Sequence, residues 1–268
     1  MAFIPLYDTN PLRNIKRPWV AWSILAANVF VFFAIEGGEF AGTPHRASVG
    51  AFGLIPAVIN GYAHKPIELA GLPDWVTFVT YAFLHGDFWH LAGNMIFLWV
   101  FADNVEDALG HFRYLIFYML CAVLSGYAFV LSAPMSEAPV IGASGAIAGN
   151  IGAYLLLHPR AKIWVLILLR IPLRLRAIWI IGFWIAVQIL SALDSNGSDD
   201  IAWWAHIGGV VAGMVLILFM RQPGVPLFAP APPEPGPQAL AAAISHPPLA
   251  PPAAATAQEP PHAPGPWG

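Results

Sequence analysis

The sequence predicts an all-α membrane protein of six spanning helices. Three observations predict it: an apolar composition poor in charge, apolar runs of spanning length, and a one-sided distribution of Lys and Arg. Of 268 residues, 58% are hydrophobic and only 10% are charged, where a soluble domain carries about a quarter charged residues. Mean hydropathy is +0.65. A water-facing surface is hard to build from that supply, which excludes an ordinary soluble enzyme or binding domain. The net charge of −3 says less than the positions of the charges. The single cysteine, Cys121, excludes an internal disulfide framework and a Cys-rich zinc site. In its apolar run YLIFYMLCAVL it reads as a packed core thiol.

A hydrocarbon core of about 30 Å needs about 20 apolar residues at 1.5 Å rise each. Spans are expected at about 18–36, 88–107, 112–133, 144–158, 176–193 and 202–220. The first, PWVAWSILAANVFVFFAIE, follows Arg13, Lys16 and Arg17 much as a signal core follows its charged region. Its length of about 19 residues exceeds a typical signal core, so it is taken as a span. The fourth lies at the short end of spanning length. The stretch 163–169 (IWVLILL) either extends the fifth span or lies at the interface.

Six spans put both termini on one side, and the cations decide which. With the N-terminus inside, ten of the twelve Lys and Arg fall on inner segments or inner span ends, leaving Arg46 and Lys65 outside. The orientation is therefore N-in, C-in, with a long external loop from about 37 to 87 between spans one and two. That loop is too long for a simple connector, and its Trp75, Phe78, Tyr81 and Phe83 place part of it at the outer interface. Residues 1–17 form a cytoplasmic segment and 18–220 the six-span domain. Residues 221–268 form a cytoplasmic tail, and 15 of the chain's 26 prolines fall in its last 46 residues. Proline lacks a backbone donor and breaks helices, so a disordered tail or tether is expected.

An ionisable or polar side chain inside a span is expensive, which makes each one a candidate for function. His90 and Asn94 are four apart on one face of span two, near its start. Ser144 stands at the first turn of span four, and His206 about a turn and a half into span six. All three spans run inward, so these residues share one outer layer, roughly 3 to 9 Å deep by helix rise. Gly145 and Gly149 in span four, and Gly209 and Gly213 in span six, form small-xxx-small faces that let helix backbones approach closely. Two readings account for the pattern. Either the serine and histidine are hydrogen-bonding glue in ordinary glycine packing, or Ser144 is a nucleophile within reach of a base. At a helix N-terminus its unpaired backbone N–H groups would also suit an oxyanion.

The motifs HGDFWHLAGN (His85, His90, Asn94), GASG (Gly142 to Gly145) and AHIGG (His206, Gly208, Gly209) resemble, in order and placement, those of the rhomboid family of intramembrane serine proteases. The resemblance covers roughly residues 18–220, and NVEDALG at the inner end of span two resembles the bacterial form. It implies a six-helix rhomboid-like bundle in a cell (inner) membrane, its site open to the outer or periplasmic side. It also implies a Ser–His dyad of Ser144, as nucleophile, and His206, as general base and then acid. Asn94, His90 and the Ser144 N–H would form the oxyanion hole, with Gly142 and Gly145 in support; His85 would help hold the outer loop and the site together, or is a simple interfacial histidine. Substrates would be single-span or polytopic membrane proteins, met in the lipid bilayer, with no cofactor, metal or nucleic acid. Span five, with Phe183 and Trp184, and the loop LDSNGSDD are candidates for gate and cap. The other histidines receive no role.

The chain departs from the family pattern at Ala148, where an aromatic residue often packs on the catalytic imidazole. Some other side chain, such as Tyr81 or one of Trp203 and Trp204, would have to orient His206 instead, or nothing does. Trp75 is followed by Val76 rather than by arginine, so the loop would be fastened differently. The alternative function is a non-catalytic rhomboid-like protein that binds client transmembrane helices, which has no chemical need for both Ser144 and His206. A midplane transporter site is disfavoured by the outer depth of the cluster and the lack of an inverted repeat. Metal bound by His90 and His206 lacks a third ligand at matching depth.

Overall fold

A computed structural model of the chain describes residues 3–37, 43–69, 72–167, 170–194 and 201–231. The expected Pro-rich tail beyond residue 231 and most of the LDSNGSDD loop lie outside them. Strand β1 (Phe3–Asp8) precedes helix α1 (Trp19–Phe30), which continues as a π-helical turn to Ile35. The segment before span two holds short helices α2 (Thr43–Phe52), α3 (Pro56–Ile59) and α4 (Thr77–Thr80). Helices α5 (Phe88–Leu109), α6 (His111–Ser132) and α7 (Ser144–Leu157) follow. Then come strands β2 (Lys162–Ile167) and β3 (Ile171–Arg176), and helices α8 (Ala177–Asp194) and α9 (Trp203–Met220).

The six expected spans thus coincide with α1 and α5 to α9. Among the described residues, α6, α8 and α9 are long and apolar enough to cross a membrane; α1 with its extension and α7 are apolar but shorter. Helix α5 has 22 residues, yet its last two turns carry Asp103, Glu106 and Asp107. These carboxylates explain NVEDALG. Glu106 accepts from the first-turn N–H groups of α1, Val20 at 3.0 Å and Ala21 at 2.7 Å, so one helix's end caps the next helix's start. Asp107 likewise gathers the backbone N–H groups of Arg13, Asn14 and Ile15. Gly110, at φ +77°, closes α5 and turns the chain straight into α6.

The all-α expectation needs correcting: the fold is mostly helical but carries an antiparallel sheet in the order β1-β2-β3. The stretch 163–169, expected to extend the fifth span or lie at the interface, falls largely in strand β2, pairing Phe3 with Ile167 on one side and Ile171 with Ile167 on the other. IPLRLR in β3 alternates apolar and other residues with period two, a strand signal that averaging hydropathy over a span-length window erases. Strand β1 lies along α5. Its Asp8 end is held by Tyr154 and Asn104, and its Phe3 end packs on Phe97.

The aromatic residues of the segment between α1 and α5, expected at an outer interface, differ in their surroundings. Trp75 is 71% exposed, but Tyr81 is buried and Phe78 and Phe83 pack on the core. Lys65 supplies the fastening: its Nζ lies 3.3 Å from Asp74 and 3.0 Å from the Ala51 carbonyl. A backbone bridge between Leu54 and Val140 ties this segment to the stretch leading into Ser144.

Candidate active site

The site is set by how closely α7 and α9 approach. A Cβ added to Gly209 would stand 2.1 Å from the Gly145 carbonyl oxygen, and one on Gly213 1.9 Å from that of Gly149. No side chain fits at either position, so glycine lets the two backbones touch. This contact brings Ser144, the first residue of α7, to His206 on α9, with Oγ and Nε2 2.8 Å apart. Both residues are half-buried and face a cavity of about 250 Å³ between α5, α7, α8 and α9. Its polar lining is Asn94, Ser144, Gln188 and His206; the rest is apolar, and Phe3 of β1 forms part of the wall.

The turn before Ser144 needs its glycine. Gly142 adopts φ +119°, and a Cβ there would meet the His90 ring at 2.7 Å. Its N–H donates to the Tyr81 carbonyl at 2.9 Å, fixing the turn to the external segment. Gly145 is equally constrained, since a Cβ would fall 1.8 Å from Ser125 Oγ. Ser144, Gly145 and Ala146 occupy the first turn of α7, whose N–H groups have no intrahelical acceptor.

The expected partners lie around this point. The Asn94 amide reaches the cavity and lies 3.0 Å from His85 Nε2. His85 is fully buried, and burial pushes its imidazole down to about 3, with His90 adding to the effect. It is therefore neutral and free to accept at Nε2 from the Asn94 amide. Its backbone N–H donates to Glu36 at 3.1 Å, which links the end of the first span to the site. His90 is not among the cavity's lining residues; its ring packs edge-on against His85 and over Gly142. Asp87 caps α5 through the His90 N–H at 2.8 Å, which fixes where that helix begins.

His206 is oriented by residues that sequence reasoning only partly found. Trp203 meets the imidazole edge-on at 6.1 Å, as one of the expected candidates, and Trp184 of α8 packs on it at 6.1 Å and 32°. Tyr81 does not serve, because its hydroxyl bonds to the Ala122 carbonyl and Ser125. The missed residues are Gln188, whose Oε1 lies 2.7 Å from His206 Nδ1, and Glu36. A polar residue in or at the end of an apolar run is the signal for both, Gln188 in IAVQILSA and Glu36 closing FVFFAIE.

The sequence model of the Rhomboid domain matches residues 72–223, more than half of the chain. Rhomboid protein 1, mitochondrial, of Saccharomyces cerevisiae is 32% identical over 151 residues, covering 52% of this chain and 40% of that protein. Rhomboid protease GluP of Bacillus subtilis is 29% identical over 199 residues, 74% of this chain and 34% of that protein. Rhomboid-like protein 11, chloroplastic, of Arabidopsis thaliana is 27% identical over 239 residues and 81% of each chain. The chain thus spans less than half the length of the yeast and Bacillus relatives. The matched region contains the Asn94, Ser144 and His206 segments and five of the six long helices: the chain belongs to the rhomboid family and is a multi-pass membrane protein.

Proposed function

We propose that this chain is an intramembrane serine endopeptidase cleaving single-span or polytopic membrane proteins within their transmembrane segments. The observation that carries the reading is the 2.8 Å approach of Ser144 Oγ to His206 Nε2 at the head of an apolar cavity. His206 takes the Ser144 proton as Oγ attacks a backbone carbonyl carbon. The Ser144 N–H and Asn94 then receive the oxyanion, with His90 packed behind them against Gly142. On collapse of the intermediate the C–N bond breaks, and His206 gives the proton to the leaving amine. Water attacks the resulting ester, its proton passing through His206 back to Ser144 Oγ. Glu36 and His85 hold Asn94 in place, and neither cofactor nor metal is needed.

In this reading α1 and α5 to α9 are six spans with both termini cytoplasmic, making residues 18–220 the protease domain. The site opens to the outer side of the cell membrane, where water reaches it. A substrate helix entering past Phe183 and Trp184 of α8 must unwind to expose a carbonyl. Backbone groups left unpaired in lipid cost several kcal/mol each, so small or helix-breaking residues favour cleavage. Purified chain should react covalently with a fluorophosphonate probe, and Ser144→Ala should not. Equal labelling of the two would remove Ser144 as nucleophile. No labelling of either, with client helices still bound, would make the chain a binder.

A further inference from the structure

Helix α8 is loosely enclosed: Trp179, Phe183, Leu190 and Leu193 are all more than half exposed. Only five of its eighteen residues are buried, and one of the five is Gln188, at 4% exposure. A buried amide is costly unless hydrogen-bonded, and the partner on its oxygen is the imidazole of His206. Gln188 Oε1, His206 and Ser144 Oγ form one chain across three helices, with contacts of 2.7 and 2.8 Å.

That chain has a chemical consequence. A neutral imidazole has one donor and one acceptor nitrogen, and its partners select which is which. An acceptor at Nδ1 keeps the proton there and leaves the Nε2 lone pair facing Ser144, the tautomer able to take the hydroxyl proton. An amide turned to offer its NH₂ to Nδ1 would select the opposite, unproductive tautomer. The amide is also neutral, so it steadies the ring without the added charge of a carboxylate. Among the described residues, the titratable group on another helix that acts electrostatically on the ring is His90 on α5.

We propose that Gln188 is a positioning residue that holds His206 in the rotamer and tautomer required to accept the Ser144 proton, which makes the third member of the hydrogen-bonded chain a neutral amide. This rests on the protease reading above. It is tested in the purified full chain with Gln188→Met, which keeps length and packing but removes the acceptor, and Gln188→Glu, which keeps an acceptor and adds charge. Cleavage of a transmembrane peptide is followed from about pH 5 to 9. Gln188→Met should lower kcat about tenfold, equivalent to about 1.4 kcal/mol, with KM changed by less than about twofold. Gln188→Glu should retain turnover at high pH and move the acid limb of kcat/KM upward by about one unit, because an anion at Nδ1 stabilises the imidazolium.

Wild-type kcat in Gln188→Met would overturn the proposal. So would equal loss in both variants with an unmoved acid limb, which would mark a packing role. If the wild type shows no Ser144-dependent cleavage, the protease reading fails instead. The ¹⁵N signals of His206 then still read the positioning: a proton on Nδ1 in the wild type, lost as the fixed tautomer in Gln188→Met, supports it. A proton on Nε2 in the wild type overturns it.

Discussion

Replacing Gly209 with alanine tests whether the contact of α7 with α9 sets the dyad distance. The new Cβ would lie 2.1 Å from the Gly145 carbonyl oxygen and 3.1 Å from Ala148 Cβ. The nearer obstacle is backbone and cannot rotate aside, so the helices must part by about 1 Å before the contact becomes tolerable. His206 is one turn before Gly209, and Ser144 adjoins Gly145. The separation therefore passes almost undiminished to the dyad and opens the 2.8 Å contact to about 3.8 Å, beyond hydrogen-bond range. A misplacement of about 1 Å costs on the order of 10²-fold in rate, and overpacking costs about 1–3 kcal/mol of stability. The assay is the rate of fluorophosphonate labelling, with thermal unfolding in detergent as companion. Gly182→Ala on α8 is the control, since nothing lies within 4 Å of a Cβ there, and it should label at the wild-type rate. A Gly209→Ala protein with wild-type labelling and unfolding would refute the claim that backbone contact at this point governs the site.

Two further outcomes follow from the N-terminal half. Glu106→Ala should lower stability by about 2 kcal/mol in detergent unfolding, because the two α1 N–H groups it receives and the His111 ring at 2.5 Å lose their charged acceptor; an unchanged unfolding midpoint would rule out the cap. Asp8 is raised to about 7, first by burial and further by Asp103, with the Tyr154 hydrogen bond opposing. The folded chain then holds a proton that the unfolded chain releases near the ordinary carboxylate value of 3.8. The docking of β1 should accordingly weaken as pH rises between about 4 and 7. Asp8→Asn should flatten that slope and unfold at a higher temperature than wild type at pH 8, and a slope that survives the substitution would assign the titration elsewhere.

Long elements were legible because length and hydropathy report them directly. The helices beginning at Trp19, Phe88, His111, Ser144, Ala177 and Trp203 start within a residue or so of the expected positions. The sheet was not legible, since β1 and β2 are over 150 residues apart and neither shows its pairing alone. Shared depth brought Ser144, His206 and Asn94 together on paper. Gln188 escapes it because a single amide in an apolar helix carries no motif that pairs it with His206 across the bundle.

Position 148 shows why the imidazole is held in this way. Ala148 is fully buried, and a Cβ on Gly209 would already stand 3.1 Å from its own Cβ. An aromatic ring there would have to lie where α7 and α9 meet, and accommodating it would push apart the two backbones that set the dyad. With the spacing this chain adopts, bulk at 148 and the close approach of α7 and α9 compete for the same space. In this chain His206 is held instead by Trp203 of α9 and by Trp184 and Gln188 of α8. Introducing bulk at 148 should consequently slow fluorophosphonate labelling even where the new side chain is aromatic, and an Ala148→Tyr protein that labels at the wild-type rate would refute this.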